Sequence, residues 1–236
     1  MDRVGVRWWL RATLARFGWS TYRTARFVEV PAPFWRRWWH MLRYPAPRLP
    51  ADFRPPPPPP WMGPPESEIG VAVPLRTILL SRSRVAVAVV DCVAYSNGFK
   101  FGVSIRSRDD IDHRSIGFGP PMEREVQGTL RIGVRFSDGR EATSSGHGPS
   151  RDVMAYYTAW REGLEPEVPL GPVIGHGSGG GGGKRWDCDY WVWPLPPDGP
   201  LTVSCEWLAA GVELSSTEVD GGAIRRAGAS SKGLWD

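Results

Sequence analysis

Past residue 68 or so, apolar and polar residues alternate over one short stretch after another. Leu130, Ile132, Val134 and Phe136 alternate with Arg131, Gly133 and Arg135 and run into Asp138-Gly139. A period of two puts the apolar set on one face, which predicts a half-buried strand ending in a tight turn. Leu201, Val203, Cys205 and Trp207 alternate with Thr202, Ser204 and Glu206 in the same way. Phe99, Phe101, Val103 and Ile105 interleave with Lys100, Ser104 and Arg106, again one apolar face. The stretch from Arg84 to Tyr95 is apolar on both faces, through Val85, Val87 and Val89 on one and Val90, Cys92 and Ala94 on the other. Such a pattern predicts a central strand covered on both sides. Between these two strands, Asn97-Gly98 predicts a type I′ turn, because this pair tolerates positive φ at both central positions. That turn sets Ser96 opposite Phe99 and Ala94 opposite Phe101.

Further strands are expected at Ile69 to Val73, Leu75 to Leu80, Val173 to Ile174 and Val212 to Val219, with a short helix over Ala223 to Ala229. Trp186 to Leu195 is another strand, stopped by Pro194, Pro196 and Pro197, and Pro197-Asp198-Gly199-Pro200 would join it to the next strand as a hairpin. Asp109 to Gly128 and Ser144 to Gly171 do not alternate and are expected as long loops, the second with one or two helical turns at Met154 to Trp160. Many short strands separated by turn residues predict an all-β, two-sheet antiparallel β-sandwich, immunoglobulin-like in outline, with long loops and a short C-terminal helix.

Composition divides the chain. Residues 1–61 hold eleven Arg against Asp2, Glu29 and Asp52, a net charge of +8, and the remainder is at −4. Six prolines, Pro55 to Pro60, close the first part, and a polyproline II spacer is the conformation such a run prefers. The expected organisation is a poorly ordered basic Trp/Arg/Pro-rich segment over 1–61 and one sandwich domain over 62–236. Arg3, Arg7 and Arg11 fall on one helical face with Trp9, Leu10 and Phe17 broadly opposite, chemistry that suits an anionic membrane interface or single-stranded nucleic acid. The 24 Pro, 28 Gly and the excess of Arg over Lys point instead to GC-rich DNA. Translation from upstream of the true start would yield such a string, with Met41 and Met62 as internal starts. On that reading nucleic acid is set aside as a partner, and a membrane surface is one only if 1–61 is real protein. No apolar run has the ~20 residues of a membrane span. Three cysteines, Cys92, Cys188 and Cys205, cannot all pair and lack zinc spacing, so reduced buried thiols and a cytoplasmic location are expected.

Candidate chemistry is sparse. Gly175-His176-Gly177-Ser178 leads into Gly179 to Gly183 and Lys184. It fails as a phosphate-binding loop, since Ser178 stands at the first glycine position and Arg185 follows the lysine. It also fails as a nucleophile elbow, since His176 occupies the first position of GxSxG. A flexible glycine connection between strands is the simpler expectation. Asp109, Asp110, Asp112 and His113 lack the spacing of a metal site, and Asp187 and Asp189 are more simply the solvent face of a strand. His113, His147 and His176 with Ser144, Ser145 or Cys205 supply the atoms of a hydrolase without a recognisable order. Tyr190, Trp191, Trp193 and Trp207 are candidates for a hydrophobic groove, but core packing explains them better, because a sandwich needs bulky inward residues there.

The run Trp191-Val192-Trp193-Pro194-Leu195-Pro196-Pro197-Asp198-Gly199-Pro200-Leu201, followed by Cys205-Glu206-Trp207, resembles the C-terminal signature of a family of uncharacterised proteins from high-GC bacteria. The resemblance covers roughly Pro64 to Asp236, including the glycine run and the terminal Leu234-Trp235. It implies a shared fold and carries over no catalytic residue.

The sequence thus favours a non-catalytic β-sandwich that binds an unidentified protein or small ligand, with Trp191, Trp193, Trp207 and His176 as binding candidates, no metal and no cofactor. Two alternatives stand beside it. One is a hydrolase using His176 and the glycine loop, and the other is a protein held at a membrane surface by the basic segment.

Overall fold

A computed structural model of the chain describes residues 58–116, 128–144 and 150–235. The expectations for the basic N-terminal segment, and those involving Ser145 and His147, lie outside these residues. Most of the described chain is antiparallel β-structure, with a helix α1 (Ser150–Glu162) between strands and a short helix α2 (Gly221–Ala229) near the C-terminus. One sheet has six strands: β2 (Val71–Val73) and β3 (Thr77–Ser81) share an edge of β4 (Val85–Tyr95), followed by β5 (Gly98–Ser107), β9 (Arg185–Trp193) and β8 (Val173–Gly182). The other orders β11 (Val212–Asp220), β10 (Pro200–Trp207), β6 (Arg131–Arg135) and β7 (Glu141–Thr143), and β1 (Glu68–Ile69) pairs with β12 (Lys232–Gly233) as a small ribbon.

Alternation decides which side chains meet. Val87, Val89, Phe101, Ile105 and Tyr190 of the six-stranded sheet and Ile132, Val134, Leu201, Val203 and Trp207 of the four-stranded sheet enter one core, each at most 3% exposed. The two-sheet sandwich follows from that shared core. At one side the sheets are tied by Ser215, whose Oγ donates to the Leu79 carbonyl at 2.7 Å. Helix α2 starts at Asp220, whose carboxylate caps it by accepting from the Ala223 N–H, and its Ile224 is 1% exposed in the core.

The structure corrects five sequence expectations, the first being that the one or two helical turns expected at Met154 to Trp160 are a 13-residue helix, Ser150–Glu162. The β4–β5 turn is centred on Ser96 and Asn97, with Tyr95 opposite Gly98 and Ala94 opposite Phe99, so Gly98 is a strand residue. The two apolar faces of β4 are one face interrupted: a bulge between Val89 and Asp91 shifts the register, so Val85, Val87, Val89, Cys92 and Ala94 all point inward while Val90 is exposed. Strands β9 and β10 form no hairpin, because β9 lies between β5 and β8 and β10 lies between β6 and β11. Pro194, Pro196 and Pro197 have no N–H to continue a ladder, and the chain leaves one sheet for the other there. The glycine run is an edge strand rather than a free connection, since Gly179 to Gly182 pair with Cys188 to Arg185.

Folded structure begins ahead of Met62. Trp61 is 1% exposed, with its ring 5.3 Å from Tyr156 of α1 and 6.2 Å from Trp193. Asn97 Nδ2 donates to the carbonyls of Pro60 at 2.8 Å and Gly63 at 3.1 Å. Glu68 extends this anchoring. It accepts from the Ser96 N–H and from Ser231 Oγ, each at 3.0 Å. Burial raises its pKa, and the Ser96 and Ser231 bonds outweigh that, leaving it below the ordinary carboxylate value.

Candidate functional site

Alternation along β9 sends Trp186, Cys188, Tyr190 and Val192 into the core and Asp187, Asp189, Trp191 and Trp193 to the outer face of the six-stranded sheet. Trp207 comes from the other sheet and is 3% exposed in the core. The aromatic candidates therefore occupy both sides of the sheet and line no common groove. At the turn end of the outer face, Trp191 lies over Gly98 and 5.9 Å from Tyr95, and Trp193 meets Trp61.

Toward the other end, the outer face is polar. A groove of about 530 Å³ is lined by Val90, Asp91, Ser104, Arg106, Asp187 and Asp189, with Ser178, Gly179 and Gly180 of β8 along one side. Gly102 opens it: the Asp91 carboxylate lies over the missing side chain and accepts from the Gly102 N–H at 2.9 Å. Asp187 is the most heavily bonded group. Its carboxylate accepts from Ser104 Oγ at 2.6 Å, Arg106 Nη1 at 3.0 Å and Arg185 Nε at 2.6 Å. Burial opposes its charge, but the bonds from Ser104, Arg106 and Arg185 prevail and hold its pKa at about 2. On Asp189, Oδ2 takes Ser178 Oγ at 3.0 Å and Lys100 Nζ at 3.4 Å, leaving Oδ1 uncommitted. A bulge between His176 and Gly179, opposite Asp189, aims Ser178 at that carboxylate.

His176 faces the other way. It pairs with Tyr190, on the core side, with the two rings 4.5 Å apart. Desolvation against Tyr190 lowers its pKa to about 4, although the residue stands on an edge strand and keeps much of its surface in water. Tyr190 is fully buried, and that burial pushes its hydroxyl well above the ordinary phenol value. The hydroxyl lies near Cys188 and Ser144 without a well-formed hydrogen bond to either. His176 and the Ser178–Asp189 pair thus sit on opposite faces of the sheet.

Cys92, Cys188 and Cys205 are buried and unpaired. Burial pushes Cys92 up to about 12 and the other two to about 11, the reverse of what a nucleophilic thiol needs. Among the described residues no group of three or more His, Cys, Asp or Glu is placed to hold a metal ion, and no helix is long and apolar enough to cross a membrane. The groove was missed in the sequence because it depends on which strands neighbour β9. The period-two pair Asp187 and Asp189 was its one visible trace. The chain matches no protein-family model, no curated protein and no solved structure.

Proposed function

We propose that this chain is a non-catalytic binding module that engages its partner on the outer face of the six-stranded sheet, beside β8. The observation that carries the reading is the division of the candidate hydrolase residues between two faces. His176 rests on Tyr190 on one side while Ser178 is bonded to Asp189 on the other, whereas base and nucleophile must come within ~3 Å of each other. The groove floored by Asp187 and Asp189 supports the same reading. A cytoplasmic location goes with it, supported by three unpaired, buried thiols.

The reading is tested by assaying the full chain against a panel of ester, peptide and phosphoester substrates alongside a His176→Ala variant. No turnover above the uncatalysed rate is expected for either protein. Turnover that disappears in the variant overturns the reading in favour of the hydrolase.

A further inference from the structure

Strand β8 ends the six-stranded sheet, and among the described residues no strand pairs with its outer edge. Its Gly179–Gly182 half pairs with β9 on one side, and among the described residues no other backbone hydrogen bond reaches Gly177–Gly182. Open edges are normally blunted by charged side chains, proline or a covering element. Here the segment Gly177–Gly182 carries only the Ser178 side chain, and every residue in it is exposed. The sheet's opposite edge is guarded, since β3 is tied to β11 through Ser215 and the Leu79 carbonyl.

The groove turns an open edge into a selective one. Gly180 pairs with Asp187, so the missing side chain at Gly180 belongs to the outer face, where it leaves the groove open toward the edge. A strand added to β8 would lie two interstrand spacings, about 9.6 Å, from β9. A long side chain on its outer face can cross the bare glycine backbone and reach Asp189. Both guanidinium groups at the groove, Arg106 and Arg185, are bonded to Asp187. Among the described residues Asp91 has no ion pair, and Asp189, paired with Lys100 through Oδ2, keeps Oδ1 uncommitted. The free acceptor nearest the edge is therefore Oδ1 of Asp189. At one end of the edge Asp110 lies beside Gly183 and Lys184 follows it, both without a salt bridge among the described residues.

We propose, building on the binding-module reading, that β8 accepts an extended peptide segment by strand addition at Gly177–Gly182, with a Lys or Arg of that segment crossing the glycines to Asp189. Backbone pairing supplies the attraction and the groove supplies selectivity, the division of labour general to strand-addition recognition. The charged contact is the stronger kind of hydrogen bond, a cation donating to a carboxylate.

The test uses the full chain and the synthetic peptide Ac-Arg-Val-Arg-Val-Arg-Val-Arg-NH2, with binding followed by calorimetry and the recovered peptide weighed by mass spectrometry. Wild type is expected to bind it and to ignore the Glu-Val counterpart. Asp189→Asn is expected to weaken binding about tenfold, the scale of one charge-assisted contact. Gly180→Leu is expected to abolish it by filling the groove mouth. A β-carbon at Gly180 meets nothing within 4 Å, so this variant should fold, which its unfolding midpoint will check. Methylating alternate peptide nitrogens should also abolish binding, because it removes the donors that a strand ladder needs. An intact peptide that does not bind, or that binds equally well when N-methylated, overturns strand addition and leaves the binding-module reading in place. A cleaved peptide overturns the binding-module reading itself.

Discussion

The indole of Trp191 occupies the space where Gly98 would carry a side chain. A β-carbon on Gly98 would lie 2.6 Å from Trp191 Cζ2 and 2.4 Å from the Val192 carbonyl oxygen. Glycine is required there by close packing, not by turn geometry, since Gly98 lies in β5 and has no positive φ. Gly98→Ala is expected to cost about 1–3 kcal/mol, the range for overpacking a well-filled site. Urea unfolding monitored by tryptophan fluorescence measures it, and an unchanged midpoint would mean that the ring is not seated on Gly98.

Trp61 seals the same end of the sheet from the N-terminal side. It touches Tyr156 of α1 and Trp193 of β9, and Asn97 holds the carbonyls on either side of it. Its burial makes it part of the folded body. Trp61→Ala in the full chain should lose about 3 kcal/mol, the lower end for a large aromatic truncated in a core. The lost contacts are with α1 and the end of β9, so amide exchange there should quicken more than in β6 or β10. Uniform quickening would count against a local role for Trp61.

How far the fold was legible depended on whether local pattern or long-range pairing decided each feature. The strands at Leu130 to Phe136 and Leu201 to Trp207 follow from period-two alternation alone, and the structure places β6 and β10 there. The helix expected over Ala223 to Ala229 is present and begins two residues earlier, at Gly221. By contrast, the two apolar faces of β4 suit a covered central strand and a bulged one equally, and only pairing with β5 and β3 distinguishes them. The glycines of β8 carry no alternation to read, so their strand character comes entirely from the ladder with β9. For the site, Asp187 and Asp189 were legible as a pair, while their partners Ser104, Arg106, Lys100 and Ser178 come from other strands.

Burial of the three thiols contributes a loss of stability at alkaline pH. Their native pKa values, about 12 for Cys92 and about 11 for Cys188 and Cys205, stand above the 9.0 of an exposed thiol. The unfolded chain therefore releases protons first as pH rises, and by linkage these groups make stability fall with increasing pH from about 9 to about 11. Below pH 9 their contribution is intact. Unfolding midpoints across that range should decline, and Cys92→Ala, whatever its cost at neutral pH, should decline less steeply. Under native conditions at pH 8 a thiol reagent such as dithionitrobenzoate should react with none of the three on the time scale of minutes, and with all three after denaturation.

Whether Gly177–Gly182 behaves as a strand can be settled at two neighbouring glycines. A β-carbon at Gly181 would lie 2.2 Å from the Arg185 carbonyl oxygen and 2.7 Å from Trp186 Cα, both backbone atoms that cannot swing aside, whereas one at Gly180 meets nothing within 4 Å. Neither residue has positive φ, so the contrast comes from the β9 ladder rather than from backbone strain. Gly180→Ala should be neutral or stabilise by up to about 0.4–1 kcal/mol, because it restricts the unfolded chain without a native clash. Gly181→Ala should destabilise by about 1–3 kcal/mol, the overpacking range, and raise amide exchange along β8 and β9. Equal behaviour of the two variants is what a flexible connection would give, and it would remove the open edge on which strand addition depends.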